Sequence, residues 1–230
     1  MKIFRRVGWI LLLCAPTACG IPGSSIPESS GNLFIRMKAA GLQSFPLRET
    51  FRSQKKNLKE QGCLAYSLHR DWTEKGTFIL TLKCSNLRKA LNFTRSPGFL
   101  TPFEKAGASE VVYWAGNNVL ERPYDNRSFP VKGKTGIVIA HNEVKSYDFW
   151  KSCWDAEGKH RHANRGYQAS RYSIHHLLGK QDQVWVVHEA SDLSKAPAFM
   201  TSPAMKGAME AMGVTGIDFW YGVNLEEGIF

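Results

Sequence analysis

What the sequence lacks narrows it first. It has no phosphate-cradling glycine loop, no dinucleotide fingerprint and no nucleophile elbow, so the enzyme classes those motifs define find no support. Its 30 Lys and Arg outnumber its 20 Asp and Glu, yet they are scattered, with no interleaved row of base-stacking aromatics. That argues against a nucleic-acid partner. His160-Arg161-His162 has metal-like residues, but alternate positions on a helix face different directions, so it reads as a solvated basic patch. The apolar run Val7 to Ala15 is far too short to span a bilayer.

That run follows Lys2, Arg5 and Arg6 and precedes small residues through Gly20, so residues 1–20 read as a secretory signal and 21–31 as a flexible leader. Thr17-Ala18-Cys19 is similar to a bacterial lipobox with Pro16 in place of the usual aliphatic residue. Cys19 is therefore a candidate for lipid attachment and for holding the protein to a membrane. The expected location is exported: periplasmic, cell-envelope or secreted. The remainder is ordinary globular material, 43% hydrophobic and 22% charged over the whole chain, enough for two modest cores.

What is present is a repeat. Residues 65 to 116 align without a gap onto residues 171 to 222, and 14 of these 52 positions are identical, among them Tyr66/Tyr172, Ser67/Ser173, His69/His175, Ser96/Ser202, Pro97/Pro203, Gly107/Gly213, Trp114/Trp220 and Gly116/Gly222. The period is that of a small domain rather than a solenoid unit. Hydrophobic periodicity gives each copy the order strand, helix, strand, strand, helix, strand. The first copy has Leu33–Met37, Phe45–Gln61, Cys63–Arg70, Thr77–Cys84, a capped and proline-restarted helix closed by Gly107, and Val111–Trp114. The second has Ile137–His141, Tyr147–Asn164, Ala169–His176, Gln183–Ala190, a like helix closed by Gly213, and Ile217–Tyr221. Pro102 and Pro197 fall within the helical stretches and should bend or interrupt them. The strands are apolar on both faces, as in Val184-Trp185-Val186-Val187, so something must cover the face without helices.

The expected fold is α+β, with two tandem ferredoxin-like βαββαβ domains, residues 32–120 and 135–226, joined by a linker at 121–134. Their sheets pair into a pseudo-dimeric α/β barrel, and the protein is expected to be a monomer with that internal pseudo-dimer.

Tyr147-Asp148-Phe149-Trp150, Val186-Val187-His188-Glu189, Asp192-Leu193-Ser194-Lys195-Ala196 through Phe199, Ser202-Pro203, Lys206, Ala208-Met209 and Gly213-Val214 resemble the dimeric α/β-barrel superfamily that includes antibiotic-biosynthesis monooxygenase-like domains. The resemblance implies the fold. It implies function only broadly, because the superfamily holds cofactor-free oxygenases, haem-degrading enzymes, cyclases, isomerases and proteins without known activity.

Chemistry is sought where the copies differ. Leu82 aligns with His188, Val112 with Asp218 and, on an offset of 104, Met37 with His141. Buried imidazoles and carboxylates are costly unless partnered or wetted, so these changes suggest a polar cavity in the second copy. His141 ends one strand and Asp218 begins its neighbour, which predicts a catalytic His141–Asp218 pair with Asp218 orienting the imidazole. His175 or His176 falls at the same end and His188 at the opposite one. Trp150, Trp154 and Trp185, absent from the first copy, are candidate walls of an aromatic pocket or fillers of a larger core.

Cys63 and Cys84 are equidistant from the turn between their strands, and both become alanine in the second copy. A disulfide is expected there in an exported protein. The functional expectation is a small-molecule ligand, apolar or aromatic, bound in the second copy without a cofactor, with acid–base or cofactor-free oxygen chemistry. The alternatives are haem binding through His188 or His175 and a non-enzymatic envelope module.

Overall fold

The computed structural model describes residues 28–39, 44–74, 76–120, 124, 126–128, 133–157 and 167–230. The signal, Cys19 and His160 to His162 lie outside the described residues. Among the described residues, no helix is long and apolar enough to cross a membrane.

The first half comprises β1 (Gly31–Ala39), α1 (Ser44–Glu60), β2 (Cys63–Asp71), β3 (Thr77–Cys84), α2 (Leu87–Thr94), α3 (Pro97–Lys105) and β4 (Ala108–Leu120). After the short β5 (Arg127–Ser128), the second half repeats the order with β6 (Gly136–Val144), α4 (Tyr147–Glu157), β7 (Tyr167–Leu177), β8 (Lys180–Ala190), α5 (Ala196–Met200), α6 (Pro203–Ala211) and β9 (Val214–Ile229). The sheet runs β2-β3-β1-β4-β7-β8-β6-β9-β5, and β9 also pairs with β2. Eight antiparallel strands thus close on themselves, and closure leaves no long unpaired edge.

The closing strands are longer than their hydrophobic runs predict. Beyond Trp114 and Tyr221 the chain continues extended, and these continuations join the halves: Gly116 faces Leu177, Asn118 faces His175, Gly222 faces Asp71 and Asn224 faces His69. Both junctions then bulge at matching places, with Leu120 opposite Ile174 and Glu226 opposite Leu68. Pairing partners, more than local propensity, make these polar segments into strands. Gly116 and Gly222 recur because the partner strand comes close: a Cβ on Gly116 would lie 3.2 Å from the Cβ of His175, and one on Gly222 would lie 2.8 Å from that of His69.

Strand alternation divides every side chain between two faces. In β1, Leu33, Ile35 and Met37 point toward the helices and pack with Leu47, Phe51, Phe99 and Phe103. Phe34 points into the barrel, where it meets Ile79, Ile137, Ile139, Trp185 and Val187. On the helix side of the second half, Trp150 and Trp154 cover Ile174, Val184 and Val186, while Met205 and Met209 join the cluster of Val138, Tyr221 and Val223. Each fully buried side chain of this size contributes roughly 1.5–3 kcal/mol.

Local signals behave largely as read. Asn86 and Ser202 cap their helices by accepting from the Lys89 and Met205 amides at 2.9 and 3.2 Å. Pro97 and Pro203 occupy first-turn positions, where a missing amide hydrogen costs nothing. Pro102 lies inside α3. Pro197 instead falls in the first turn of α5, after a 3-10 turn at Leu193–Lys195, so it interrupts no helix.

Two expectations are corrected. Cys63 and Cys84 do face one another across β2 and β3, but as buried thiols with sulfurs 3.9 Å apart rather than as a disulfide; the Cys63 contact and burial push the Cys84 thiol well up. The alignment of β1 on β6 is also off by one. Arg36 faces Ile79 and Val112, as His141 faces Trp185 and Asp218, so the counterpart of His141 is Arg36 and that of Asn142 is Met37.

Candidate functional site

The structure divides the candidate residues between two faces of the second-half sheet. His141, His175, Trp185 and Asp218 belong to the barrel interior or its mouth, and Trp150, Trp154, His176 and His188 to the helix side.

Inside the barrel, Trp114, Trp185 and Trp220 form a triangle with ring centroids 5.2 to 5.7 Å apart, and Phe34 adjoins Trp185 at 5.2 Å. Beside them Phe34, Trp114, Gly116, His175, Leu177 and Trp185 line a crevice with no room for a water molecule. His175 is bonded through both ring nitrogens, Nδ1 to Asn118 Oδ1 at 2.9 Å and Nε2 to Ser173 Oγ at 2.8 Å. A neutral ring with its hydrogen on Nδ1 satisfies both contacts. His69 Nε2 repeats the bond with Ser67 at 2.8 Å, which explains why Ser-x-His recurs in both copies.

At the mouth, His141 and Asp218 are register partners, as expected, with Nδ1 and Oδ2 3.8 Å apart. That is too long for a hydrogen bond. The Asp218 side chain is 73% exposed, so water screens the pair. The His141 ring lies 5.3 Å from Trp185 and 6.3 Å from Trp220, with its Nε2 buried and unbonded.

The helix side of the second half is chemically richer. Trp150 and Trp154 stack at 5.3 Å, and Trp154 continues to Tyr172 at 5.9 Å and to His188 at 5.3 Å. In the other direction Tyr147 adjoins Trp150 at 6.0 Å and meets the His176 ring edge-on at 4.0 Å. His188 replaces Leu82 in the same register. Burial lowers the pKa of His176, keeping it neutral, and burial together with Asp155 and Asp148 raises that of Tyr147.

Among the described residues, the polar atoms buried on this face without a hydrogen bond include Asn142 Oδ1, Trp150 Nε1 and His176 Nε2. Asn142 and His176 flank Val184 in register, and Val184 packs in one cluster with Trp150. Asn142 is 1% exposed and Trp150 0%, and the Asn142 amide nitrogen has only long contacts of 3.4 and 3.5 Å to the Ala140 and Val184 carbonyls. Each orphaned group costs about 1–3 kcal/mol. The first half carries no such cost at the matching places. There, Met37 stands for Asn142, and Leu47 and Phe51 take the positions of Trp150 and Trp154, Phe51 meeting Tyr66 as Trp154 meets Tyr172.

Asn142 and Tyr147 escape the sequence reading. The signal for Asn142 is that it is polar on a face otherwise made by Val138, Ala140 and Val144, and the one-residue slip in alignment moves it to the wrong face. Among the described residues, no three His, Cys, Asp or Glu side chains gather as a metal site.

No protein-family model and no curated protein matches this chain. Solved structures do. A candidate monooxygenase from Fusobacterium nucleatum superposes with a TM-score of 0.61 at 9% identity, over 87% of this chain and 95% of that one. A candidate monooxygenase from Lactobacillus acidophilus gives 0.58 at 13% identity, over 88% and 99%, and an anthrone oxidase-like protein gives 0.56 at 9%, over 87% and 93%. At such identities the likeness speaks for architecture alone. The chain has the ferredoxin-like, dimeric α/β-barrel fold.

Proposed function

We propose that the protein binds a small planar molecule, aromatic and bearing hydroxyl or carbonyl oxygen, between α4 and the sheet of the second half. The observation that carries this reading is the set of orphaned atoms on Asn142, Trp150 and His176; the first half has apolar Met37 and Leu47 in place of the first two and Arg70 in place of the third. A guest oxygen accepts from Trp150 Nε1, a guest hydroxyl donates to Asn142 Oδ1, and the stacked rings of Trp150 and Trp154 supply flat apolar surface. Neutral His176 is suited to take a proton from a bound hydroxyl. Such deprotonation is the first step of acid–base chemistry or of cofactor-free oxidation, and the monooxygenase description of two structural neighbours favours the latter by fold analogy.

A second reading rests on the approach of His141 to Asp218 and puts proton transfer at the barrel mouth. Calorimetric titration with 4-nitrophenol separates the two. The first predicts that Trp150→Phe weakens binding about tenfold, the worth of one hydrogen bond, and that His141→Ala leaves it unchanged. The reverse pattern supports the mouth.

Haem fits these residues poorly. His175 spends both nitrogens on Ser173 and Asn118, and His188 is 5% exposed against Trp154. Added hemin is expected to show no shifted Soret band. The matching halves, with the same strand order and the same bulged junctions, further support descent by tandem duplication, the pair acting as one internal dimer. Export and lipid attachment at Cys19 belong to the same proposal and are tested by the mass of the mature N-terminus.

A further inference from the structure

The first helices of the two halves differ in charge. α1 carries five cations against two acids, and α4 one cation against three acids. At about 100° of helix rotation per residue, Arg48, Arg52, Lys55, Lys56 and Lys59 form one stripe on α1, beside the buried side made by Leu47, Phe51 and Leu58. Glu226 of β9 is 5% exposed and holds part of this stripe: Arg48 at 3.0 Å, Arg52 at 2.9 Å and Lys55 at 2.6 Å. It also accepts from the Tyr66 hydroxyl at 2.9 Å. One carboxylate thus serves three cations. Lys56 and Lys59 are exposed farther along the stripe, with no ion pair among the described residues. On α4, Lys151 and Asp155 take the places of Arg48 and Arg52 and pair with each other.

The stripe runs to the end of α1, where three segments meet. The Gly62 carbonyl accepts from the Ser85 amide at 2.8 Å, and the Ser29 carbonyl from the Leu87 amide at 3.1 Å. The chain therefore enters β1 beside the last turn of α1 and the first turn of α2. In that turn Lys89 is exposed, and Arg88 pairs with Glu28 at 3.2 Å. Just past α1, Leu64 is 43% exposed, and Ile229 is 59% exposed; their strand ends are joined by the Phe230 amide and the Leu64 carbonyl at 3.0 Å. Cys19 precedes Glu28 by nine positions, a reach of at most about 30 Å.

We propose that the basic stripe of α1, with Lys89, Leu64 and Ile229, docks on the anionic headgroups of a lipid bilayer. The proposal stands apart from the ligand site beneath α4. Cations edged by apolar side chains suit a lipid interface, where the first meet phosphate and the second the acyl boundary. A nucleic acid would use the cations alone. Stable attachment to a membrane takes two signals, and a basic patch is the partner that a lipid at Cys19 needs. The N-terminal chain enters the fold beside the stripe, so both signals address one surface.

The test is sedimentation of the full chain carrying Cys19→Ala, which removes the acceptor for lipid. It is mixed with vesicles of phosphatidylglycerol and phosphatidylcholine in equal parts, or of phosphatidylcholine alone. Binding to the mixed vesicles is expected, falling as salt rises; the neutral vesicles read attachment through the N-terminal apolar run by itself. Lys56→Gln, Lys59→Gln and Lys89→Gln together are expected to weaken binding to the mixed vesicles about a hundredfold, at about fivefold for each cation, with the urea midpoint unchanged. Lys180→Gln, Lys195→Gln and Lys206→Gln, exposed positions of the second half, are together expected to leave it within about twofold. Equal binding to both kinds of vesicle, no loss in the first-half variant, or an equal loss in the second-half variant would overturn the proposal. So would a DNA duplex that displaces the protein from the mixed vesicles and loses affinity in the first-half variant alone, since the stripe would then belong to nucleic acid.

Discussion

Replacing Asn142 with leucine is expected to make the protein more stable and less able to bind. The asparagine is 1% exposed, its Oδ1 has no partner, and its amide contacts of 3.4 and 3.5 Å are too long to contribute much. Leucine has nearly the same branched shape, so it removes the orphaned acceptor, worth about 1–3 kcal/mol, without opening a cavity. With allowance for imperfect packing, the net gain is about 1–2 kcal/mol. In a chain of this size that raises Tm by roughly 2–8 °C. The same change takes away the acceptor for a guest hydroxyl and should weaken 4-nitrophenol binding about ten- to a hundredfold. Thermal melts and urea titrations give the first quantity and calorimetry the second. A lower Tm together with unchanged affinity would refute the reasoning, since it would make Asn142 an ordinary structural residue whose hydrogen bonds are met.

Burial alone would raise the Glu226 carboxyl, but hydrogen bonds from Lys55, Tyr66 and Arg48 and the Lys55 charge outweigh it and hold the pKa at about 2. Because the folded pKa lies below the ordinary 4.5, the stabilisation is complete above about pH 5 and is lost as pH falls toward 2. Urea titrations of wild type and Glu226→Gln should differ by about 3 kcal/mol at pH 7, by about half as much at pH 3 and hardly at pH 2; a difference independent of pH would contradict the network. Gly116→Ala sets a methyl group 2.8 Å from the His176 carbonyl oxygen and should lower stability by about 1–3 kcal/mol, seen as a lower urea midpoint. Disulfide-sensitive mass measurement of the folded chain should find Cys63 and Cys84 as thiols, each taking up one equivalent of alkylating reagent after denaturation.

Much of the architecture is legible in the sequence because it is written in short-range chemistry. The Ser-Pro pairs at 96–97 and 202–203 mark helix starts, the glycines at 107 and 213 take positive φ after helices, and the apolar strands demand cover on both faces. The lengths of β4 and β9 are not legible, because Asn117, Asn118 and the residues after Gly222 become strand only through partners more than fifty positions away. The site is legible by residue type and not by face. His141 and Asp218 meet through the antiparallel register of β6 and β9, inside both strands rather than at their ends, but alternation is a two-residue code, and a one-residue error in aligning β1 with β6 exchanges His141 for Asn142. Trp150 and Trp154 were visible as a helical stripe, whereas their separation from Trp185 by the thickness of the sheet depends on the register of β8.

The central claim, that the second half holds a guest on the orphaned atoms beneath α4, is tested most directly at the Trp150 indole. With uniformly 15N-labelled protein, the Trp150 Nε1–H resonance, assigned by its loss in Trp150→Phe, should move downfield in proton shift as 4-nitrophenol is added, while the Trp185 resonance stays in place. A Trp150 resonance unmoved at saturating probe, or one already shifted and protected before any is added, would contradict the account.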